Sequence, residues 1–195
     1  MQKLTESDIL LLIQEDEWMM EILRAAESLH LPDWWIGAGF VRSKVWDYLS
    51  GYKKRTPLPD VDLIYLDKND FTGEENEFST KKEESYQEKL ANLNDSVKWS
   101  VTNQARMHLV HHTKPYKSSS QALADWSETA TCVGVKLEKG SLKLTAPHGI
   151  DDLVNLIVRP IPNYSKKYSY DQGLFKKRVG EKKWIEKWPK LKVLS

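Results

Sequence analysis

One ordered series of segments constrains this sequence more than any other feature. The apolar run WWIGAG ends in two glycines and leads directly into FVRSKVWDYLSG. In that stretch Val41, Val45, Tyr48 and Leu49 fall on one helical face, and Gly51 supplies a stop. After a basic, proline-bearing loop, the run DVDLIYLD has the aliphatic and aromatic content of a buried strand. The order therefore predicts strand, glycine turn, helix, loop and strand in direct succession.

The remaining segments predict further helices and strands around this unit. Helical spacing predicts an N-terminal helix at about 5–29, opened by a Thr5/Asp8 cap and broken near Asp16. Residues 67–95 are typical of a solvated loop, with Phe78 as one sparse apolar anchor, followed by an exposed helix. Four more elements are predicted: a strand at 97–101, a helix in NQARMHLVHH, a serine-capped helix in SSSQALADW, and a β-hairpin at 132–137 and 142–146. Asp151 or Asp152 is expected to cap a short helix after the hairpin.

Composition narrows the class of protein. The chain has 195 residues and a formal charge of +1, so it is long enough for one substantial core and lacks the overall charge of a general nucleic-acid binder. The single Cys132 excludes an intramolecular disulfide and favours a reducing, cytoplasmic setting. No apolar run approaches the roughly 20 residues that span a bilayer, so no membrane partner is expected. We predict one domain, with the N-terminal helix at about 5–29 and a basic, helical C-terminal tail at about 163–195.

Asp60 and Asp62 are the sharpest chemical feature of the sequence. Residues two apart on a strand point to the same face, so both carboxylates face one way while Val61 and Leu63 face the other. Mg²⁺ prefers oxygen ligands and is typically held by one or two carboxylates together with substrate phosphates, and a pair of ions can bridge a triphosphate. The alternative is that the two aspartates merely open a strand after Pro59.

The glycine turn before the helix is a candidate phosphate site. At Gly37 and Gly39, the absence of a side chain lets backbone N–H groups approach phosphate oxygens, and a helix N-terminus favours an anion. Arg42 and Lys44 lie in the first turns of the helix and would add positive charge. Glycine pairs also form ordinary turns, which is the alternative for this segment taken alone.

The combined pattern resembles the polymerase-beta-like nucleotidyltransferase superfamily. The resemblance rests on WWIGAGFVRSKVWDYLSG followed by DVDLIYLD. The wider set VRSKVWD, DVDLIY, WSVTNQARMH, PYKSSSQAL, ETATCVGV, APHGIDDL and KKWIEKWPKL is similar to one bacterial nucleotidyltransferase family within that superfamily, over roughly residues 6–193. The resemblance implies an α/β fold of the α+β type, with a small mixed β-sheet flanked by helices.

The same resemblance implies roles for individual residues. Gly37 and Gly39 would lie at the nucleotide phosphates, and Asp60 and Asp62 would be catalytic metal ligands. The superfamily pattern also has a third carboxylate on a following strand, but residues 97–101 contain no acid. The remaining acids are Asp95, Glu128 and Asp151 or Asp152. Loss of the third acid would mean weak catalysis, a substituted geometry or a protein that only binds.

The segment NQARMH carries two further candidates for nucleotide binding, Asn103 and Arg106. One interpretation is that this polar cluster, with Met107 beside it, borders the nucleotide or acceptor pocket. The other is that Asn103 caps a helix and Arg106 pairs with one of many acids. The sequence leaves both open.

Other residue patterns support other chemistry less well. His108 and His112 have metal-ligand spacing, but the residues between them lack the glutamate of HExxH, so we expect surface histidines. The serines at 118–120 are not surrounded by the glycines of a nucleophile elbow, so their position favours helix capping. Cys132 is predicted to be a small, buried apolar residue. In the tail, Trp184 and Trp188 are four residues apart, which favours packing on a core over stacking on a polyanion. If the tail borders the acidic pocket, its lysines would hold a triphosphate or an anionic acceptor.

Two main hypotheses follow. The first is a Mg²⁺-dependent nucleotidyltransferase that moves a nucleoside monophosphate from a nucleoside triphosphate (NTP) to a hydroxyl or phosphate acceptor and releases pyrophosphate. The second is a catalytically degenerate nucleotide-binding or interaction module of the same fold. Binding of nucleic acid through the tail is a third, less favoured hypothesis, and the sequence does not identify the acceptor.

Overall fold

A computed structural model describes residues 3–70, 80–110, 113–162 and 172–194. The predictions that concern Phe78, His111, His112 and the first part of the tail lie outside these residues. The helices are Glu6–Gln14 (α1), Glu17–Glu27 (α2), Gly39–Ser50 (α3), Lys81–Leu93 (α4), Gln104–Val110 (α5), Ser119–Leu123 (α6), Asp151–Val154 (α7), Gln172–Lys182 (α8) and Trp184–Lys187 (α9). The strands are Trp35–Gly37 (β1), Val61–Tyr65 (β2), Trp99–Asn103 (β3), Gly134–Glu138 (β4), Ser141–Thr145 (β5), Ile157–Val158 (β6) and Lys192–Val193 (β7).

The N-terminal region forms two helices, with the break at the predicted position. Thr5 and Asp8 make a capping box at the start of α1. Asp16 then caps α2 by accepting a hydrogen bond from the backbone N–H of Met19. A side-chain cap of this kind satisfies N–H groups that have no partner at the start of a helix. The Asp16 cap therefore stabilises the start of a second helix at this position.

Five strands form a mixed sheet in the order β3-β2-β1-β4-β5. β2 and β3 are parallel, whereas β1 pairs antiparallel with both β2 and β4. β4 and β5 form the predicted hairpin, whose turn residues Lys139 and Gly140 have φ values of 52° and 76°. Two left-handed residues in succession are the requirement of a type I′ turn. The fold is thus the expected small mixed sheet with flanking helices.

The sheet has one buried face and one face that carries polar groups. Val61, Leu63 and Tyr65 of β2 are fully buried in the main hydrophobic core. On the other face, Ile64 packs in a small separate cluster with Trp35 and Leu123. Strand alternation therefore directs the even-numbered residues of β2 away from the main core and toward the functional face.

Two predicted details differ from the structure. β3 begins and ends two residues later than the predicted 97–101, because its parallel pairing places Trp99 opposite Val61 and Asn103 opposite Tyr65. The cap of α7 is Ile150, without a side-chain hydrogen bond, and the helix begins at Asp151. Asp152 lies within the first turn of α7, and its carboxylate pairs with Arg159 at 2.9 Å and accepts a hydrogen bond from Thr129.

The C-terminal helices pack on α3 through their tryptophans, as predicted. Trp184 and Trp188 are both buried, and their rings lie 5.8 and 5.1 Å from that of Trp46 in edge-to-face arrangements. Trp188 also donates a hydrogen bond from Nε1 to Asp47 Oδ1 at 2.7 Å. Aromatic pairs in this geometry each add about 0.5–1.5 kcal/mol beyond the area they bury. The described part of the tail, 172–194, is therefore an integral part of the fold around α3.

Within the described residues, none of the helices has both the length and the apolar character needed to span a lipid bilayer.

Candidate active site

The turn between β1 and α3 is built as a tight backbone corner. Ala38 has φ 47° and ψ −112°, a conformation that L-residues rarely adopt, and its N–H donates to Val133 O at 2.9 Å. Ala38 is also the N-cap of α3 and offers no side-chain cap, so the first-turn N–H groups have no side-chain acceptor at this position. A strained corner at a helix start is a frequent feature of ligand sites.

The two glycines of this turn have different roles. Gly39 lines the cavity that opens beside β2, where a backbone approach to a phosphate is sterically open. Gly37 is buried within β1, and a Cβ atom there would lie 2.9 Å from Cη2 of Trp126. Gly37 is therefore required for the packing of Trp126 on the sheet, a role that the sequence pattern did not indicate.

Asp60 and Asp62 line one cavity together at the start of β2. This cavity, which we call the first cavity, has a volume of about 250 Å³. Besides the two aspartates it is lined by Ala38, Gly39, Arg42, Ser43, Pro57, Leu58, Pro59, Trp126, Thr131, Arg178, Lys182, Trp184, Lys187 and Trp188. Two carboxylates thus face four cationic side chains, Arg42, Arg178, Lys182 and Lys187, across one small space.

Burial is the main reason why the pKa of Asp62 rises from 3.8 to about 6. The negative charge of Asp60 raises it further, while a hydrogen bond from Ser100 and the charges of Arg42 and Lys182 act in the opposite direction. Burial and a neighbouring negative charge both disfavour the ionised form of a carboxylate. A bound cation would stabilise that ionised form.

Arg42 is an unusually enclosed cation on the wall of the first cavity. It is 8% exposed, and its guanidinium carbon lies 4.4 Å from the centroid of the Trp184 ring. Nη1 donates to Thr131 Oγ1 at 2.9 Å, while Nε is buried without a hydrogen-bond partner among the described residues. Burial lowers the pKa of Arg42 to about 10, so the group keeps its charge at neutral pH. A buried cation with an unused donor fits an anionic ligand.

The C-terminal segment supplies the other cations of the first cavity. Arg178 lies on α8 and donates from Nε to Glu128 Oε1 at 2.5 Å. Glu128 is fully buried and also accepts from Thr131 Oγ1 at 2.9 Å, so Arg178, Glu128, Thr131 and Arg42 form a continuous chain of hydrogen bonds. Because Lys182 lies on the same helix as Arg178, these hydrogen bonds hold both residues at the cavity.

Three residues that line the first cavity were not predicted from sequence patterns: Arg178, Thr131 and Trp126. The only signal for the tail was its excess of lysine and arginine, and the alternative that its lysines border the acidic pocket matches the position of Lys182 and Lys187. Thr131 and Trp126 had no local signal, since their positions depend on contacts distant in sequence.

Lys44 lies outside the first cavity. Its ammonium group pairs with Asp16 Oδ2 at 2.8 Å, beside the equally paired Arg55. These charges lower the pKa of Asp16 against the opposing effect of burial. Lys44 and Arg42 are two residues apart on a helix, and residues at that spacing do not share a face. Its placement therefore favours a structural role over phosphate binding.

Asn103 and Arg106 are committed to structural contacts. The Asn103 side chain accepts from the N–H groups of Asp67 and Ala105 and donates to two backbone carbonyls. Arg106 Nη2 donates to both carboxylate oxygens of Glu83, at 3.0 and 2.8 Å. Neither residue is on the wall of the first cavity, so the structure favours the cap and ion-pair interpretation for both.

A second cavity of about 250 Å³ adjoins the first on the functional face of the sheet. It is lined by Asp62, Ile64, Ser100, Thr102, Gln104, Met107, Trp126, Ser127, Thr131 and Arg178. Asp62, Trp126, Thr131 and Arg178 belong to both cavities. The helix of NQARMH thus borders the site through Gln104 and Met107.

None of the candidate third acids reaches either cavity. Ser100 stands opposite Asp62 in the parallel pairing of β2 and β3, where a third carboxylate would be close. Asp95 is exposed in the connection before β3. Glu128 is bound by Arg178, Asp152 by Arg159, and Asp151 pairs with Lys3 at the surface. The described carboxylates of the site are therefore Asp60 and Asp62.

The other patterns have structural explanations where they are described. Ser118 caps α6 by accepting from the N–H of Gln121, and Cys132 is fully buried with its thiol near the Glu128 carbonyl. His108 Nδ1 lies 2.8 Å from its own helix carbonyl Ala105 O. Within the described ranges, no group of three or more His, Cys, Asp or Glu side chains has metal-binding geometry.

The residues present fit Mg²⁺ better than a transition metal. Two adjacent carboxylates without histidine or thiolate form a hard-oxygen donor set, and Mg²⁺ usually completes its shell with water and substrate phosphates. The carboxylates lie beside a cationic cavity suited to those phosphates. Asp60 and Asp62 are accordingly the residues that would hold the ion.

Comparison with known proteins identifies the family of this chain. The model of a family described as nucleotidyltransferase matches residues 24–193. A structure solved by NMR, described as revealing a CCA-adding enzyme head domain, is 30% identical with a TM-score of 0.80. The match covers 98% of this chain and 96% of that one. A search of curated proteins gave no match.

More distant structures share the fold. The Thermotoga maritima CCA-adding enzyme complexed with tRNA is 13% identical with a TM-score of 0.55, and the match covers all of this chain but 44% of that enzyme. An apo tRNA-processing enzyme is 15% identical with a TM-score of 0.50, covering 89% of this chain and 44% of its own. This chain thus spans less than half of these two enzymes. From the family match over most of its length and the 30% identical relative, the chain belongs to the nucleotidyltransferase family.

Proposed function

We propose that this protein is a Mg²⁺-dependent nucleotidyltransferase that moves a nucleoside monophosphate from an NTP to an acceptor and releases pyrophosphate. The observation that carries the proposal is the first cavity, where Asp60 and Asp62 face Arg42 and the tail cations. A triphosphate with its metal ion needs both signs of charge within one small space. The relative described as a CCA-adding enzyme head domain supports the same class of reaction.

The side chains divide the work of binding between them. Arg42 contacts the anionic phosphates from the cavity wall, and Trp184 keeps its guanidinium from turning away. Lys182 and Lys187 approach from the C-terminal side and attract the triphosphate. Asp60 and Asp62 hold Mg²⁺, which when bound neutralises charge on the phosphates and the departing pyrophosphate. The walls of the first cavity limit the orientations open to the triphosphate, which lowers the entropic part of the barrier.

Isothermal titration with each of the four NTPs, with and without Mg²⁺, tests the proposal. We expect Mg²⁺-dependent binding in the wild type and its loss in the double variant Asp60→Ala/Asp62→Ala. Lys182→Met should weaken binding about tenfold, because one charge-assisted contact contributes about 1.5 kcal/mol. Lys44→Met is the matched control, since Lys44 pairs with Asp16 outside the cavity. Unchanged binding in the double variant would refute the assignment of the site.

A second candidate function is nucleotide binding without transfer. It is favoured by one observation: Ser100, an uncharged residue, stands opposite Asp62 on β3. Under this alternative the protein binds Mg²⁺–NTP but releases no pyrophosphate with any acceptor. A pyrophosphate-release assay under conditions of saturated NTP binding distinguishes the two functions.

A further inference from the structure

The two adjoining cavities differ sharply in charge. The first cavity is lined by Arg42, Arg178, Lys182 and Lys187 in addition to the two aspartates. Among the residues that the structure describes, the second cavity has one cationic side chain, Arg178, and its guanidinium is bound by the buried carboxylate of Glu128. A phosphate group in the second cavity would therefore be repelled by the carboxylate of Asp62. The positive charge of Arg178 would offset this repulsion little, because it is already paired with Glu128. The second cavity favours an uncharged occupant.

The remaining wall of the second cavity combines neutral hydrogen-bonding groups with apolar surfaces. Ser100 and Thr102 present hydroxyls on the functional face of β3, because both residues pair with the even-numbered residues of β2. Gln104 begins α5 and contributes an amide, whose Nε2 donates only a long 3.3 Å bond to Thr102 O. Trp126, Met107 and Ile64 supply the apolar surfaces. Hydroxyls and an amide around an aromatic ring suit a small ring with several hydroxyl groups.

The shared residues place this neutral cavity next to the reacting phosphate. Asp62 and Thr131 line both cavities, so a ligand in each would meet at Asp62. Transfer of a nucleotide requires an attacking oxygen on the side of the α-phosphorus opposite to the leaving pyrophosphate. Two cavities that adjoin at the metal-binding carboxylates satisfy this requirement.

We propose that the second cavity is the acceptor subsite and takes an uncharged small molecule with a hydroxyl-bearing ring, such as a free sugar or the sugar of a nucleoside. This inference rests on the proposed function and narrows its acceptor to a hydroxyl. The acceptor oxygen forms a bond to the α-phosphorus, and the bond from that phosphorus to the bridging oxygen of the β-phosphate breaks. Pyrophosphate leaves with the electron pair, and the hydroxyl proton passes to solvent water.

The first test measures NTP affinity in variants of the second cavity. Gln104→Met and Thr102→Val preserve side-chain volume but remove hydrogen-bonding groups. We expect the Kd of each NTP, measured with Mg²⁺ by isothermal titration, to stay within about twofold of the wild type, since the phosphates lie in the other cavity. Gln14→Met is the matched control on the exposed side of α1. Weaker NTP binding in these variants, for one base or all, would overturn the proposal by placing the nucleobase in this cavity.

The second test compares neutral acceptors with their phosphorylated counterparts. The pairs are ribose and ribose 5-phosphate, glucose and glucose 1-phosphate, and adenosine and adenosine monophosphate. Pyrophosphate release and the mass of the nucleotidylated product identify transfer. We expect a neutral member to react at least about tenfold faster than its phosphorylated partner, and Gln104→Met to raise the KM of that acceptor about tenfold with a smaller change in kcat. Preference for the phosphorylated member would refute the inference.

A binding measurement keeps the proposal testable without turnover. The ¹H–¹⁵N spectrum of the protein, saturated with Mg²⁺ and a non-hydrolysable NTP analogue, reports the indole of Trp126 and the amide of Gln104. Shifts of these resonances on addition of a neutral compound from the panel would support the acceptor subsite. Absence of such shifts for every neutral compound would overturn it. A wild type that binds no Mg²⁺–NTP would instead refute the proposed function itself.

Discussion

Replacing Asp62 by asparagine should stabilise the protein while it removes one of the two proposed metal ligands. The carboxylate is held half-buried beside Asp60, and this environment raises its pKa from 3.8 to about 6. Asparagine has nearly the same shape, and its side-chain oxygen can still accept a hydrogen bond from Ser100. Asp62→Asn therefore removes the cost of the charge with little change in packing.

The size of the effect follows from the pKa shift. Conversion of the whole shift gives ~3 kcal/mol, and because Asp62 is partly open to solvent we expect about 1–3 kcal/mol. The folded state binds the proton more tightly than the unfolded state, so the stability of the wild type falls as pH rises from about 4 to about 6. Above that window the variant should be more stable by the full amount, and near pH 4 the two should converge.

Urea and thermal unfolding in the presence of a chelator, between pH 4 and pH 8, measure this difference. At pH 8 the variant should melt about 2–10 °C above the wild type. Added Mg²⁺ should narrow the gap, because it binds the wild-type carboxylates in the folded state. Equal stability at pH 8, or a difference of the same size at pH 4, would show that the charge on Asp62 is not the source of strain at this site.

Three further predictions concern packing and the glycine turn. Glu83→Ala leaves the buried guanidinium of Arg106 without its carboxylate partner and should lower the free energy of unfolding in urea by about 3–5 kcal/mol. The NTP affinity per folded molecule should not change, and a loss of affinity would indicate that this ion pair acts at the nucleotide. Gly37→Ala forces its Cβ to within 2.9 Å of Trp126 and should lower stability by about 1–3 kcal/mol, and a variant as stable as the wild type would contradict this packing. Gly39→Ala, whose Cβ meets nothing closer than 3.7 Å, should retain stability but weaken NTP binding in titration; unchanged affinity would remove this position from the phosphate site.

Local patterns predicted the elements that position the site. Alternation along β2 placed Val61 and Leu63 in the core and the two aspartates on the opposite face, because side-chain direction in a strand depends only on neighbouring residues. The caps at Thr5 and Asp16 and the Lys139–Gly140 turn were predictable for the same reason. In each case the determining contacts span fewer than five residues.

Roles that depend on distant contacts were not predictable in this way. Arg42 and Lys44 are both basic residues at the start of α3, yet one is enclosed by Trp184 at the cavity and the other pairs with Asp16. Asn103 and Arg106 lie next to cavity-lining residues, yet the Asn103 side chain binds the loop that follows β2 and Arg106 pairs with Glu83 of α4. Residue type and sequence spacing do not separate a role at the cavity from a structural role in these examples. Only the neighbours that folding brings to each residue distinguish the two roles.

The sequence by itself determined the order of strand, turn, helix and strand, and with it the paired carboxylates beside a glycine corner. Tertiary structure alone decided which cations face them, because Arg178 and Lys182 lie more than 100 residues away in the chain. It also decided that a cavity rich in cations adjoins a second cavity with fewer charged side chains among the described residues, the two sharing Trp126 and Thr131. The net charge of +1 gives no indication that cations are concentrated in one cavity. The packing of the tail on α3, and not the composition, places those charges in space.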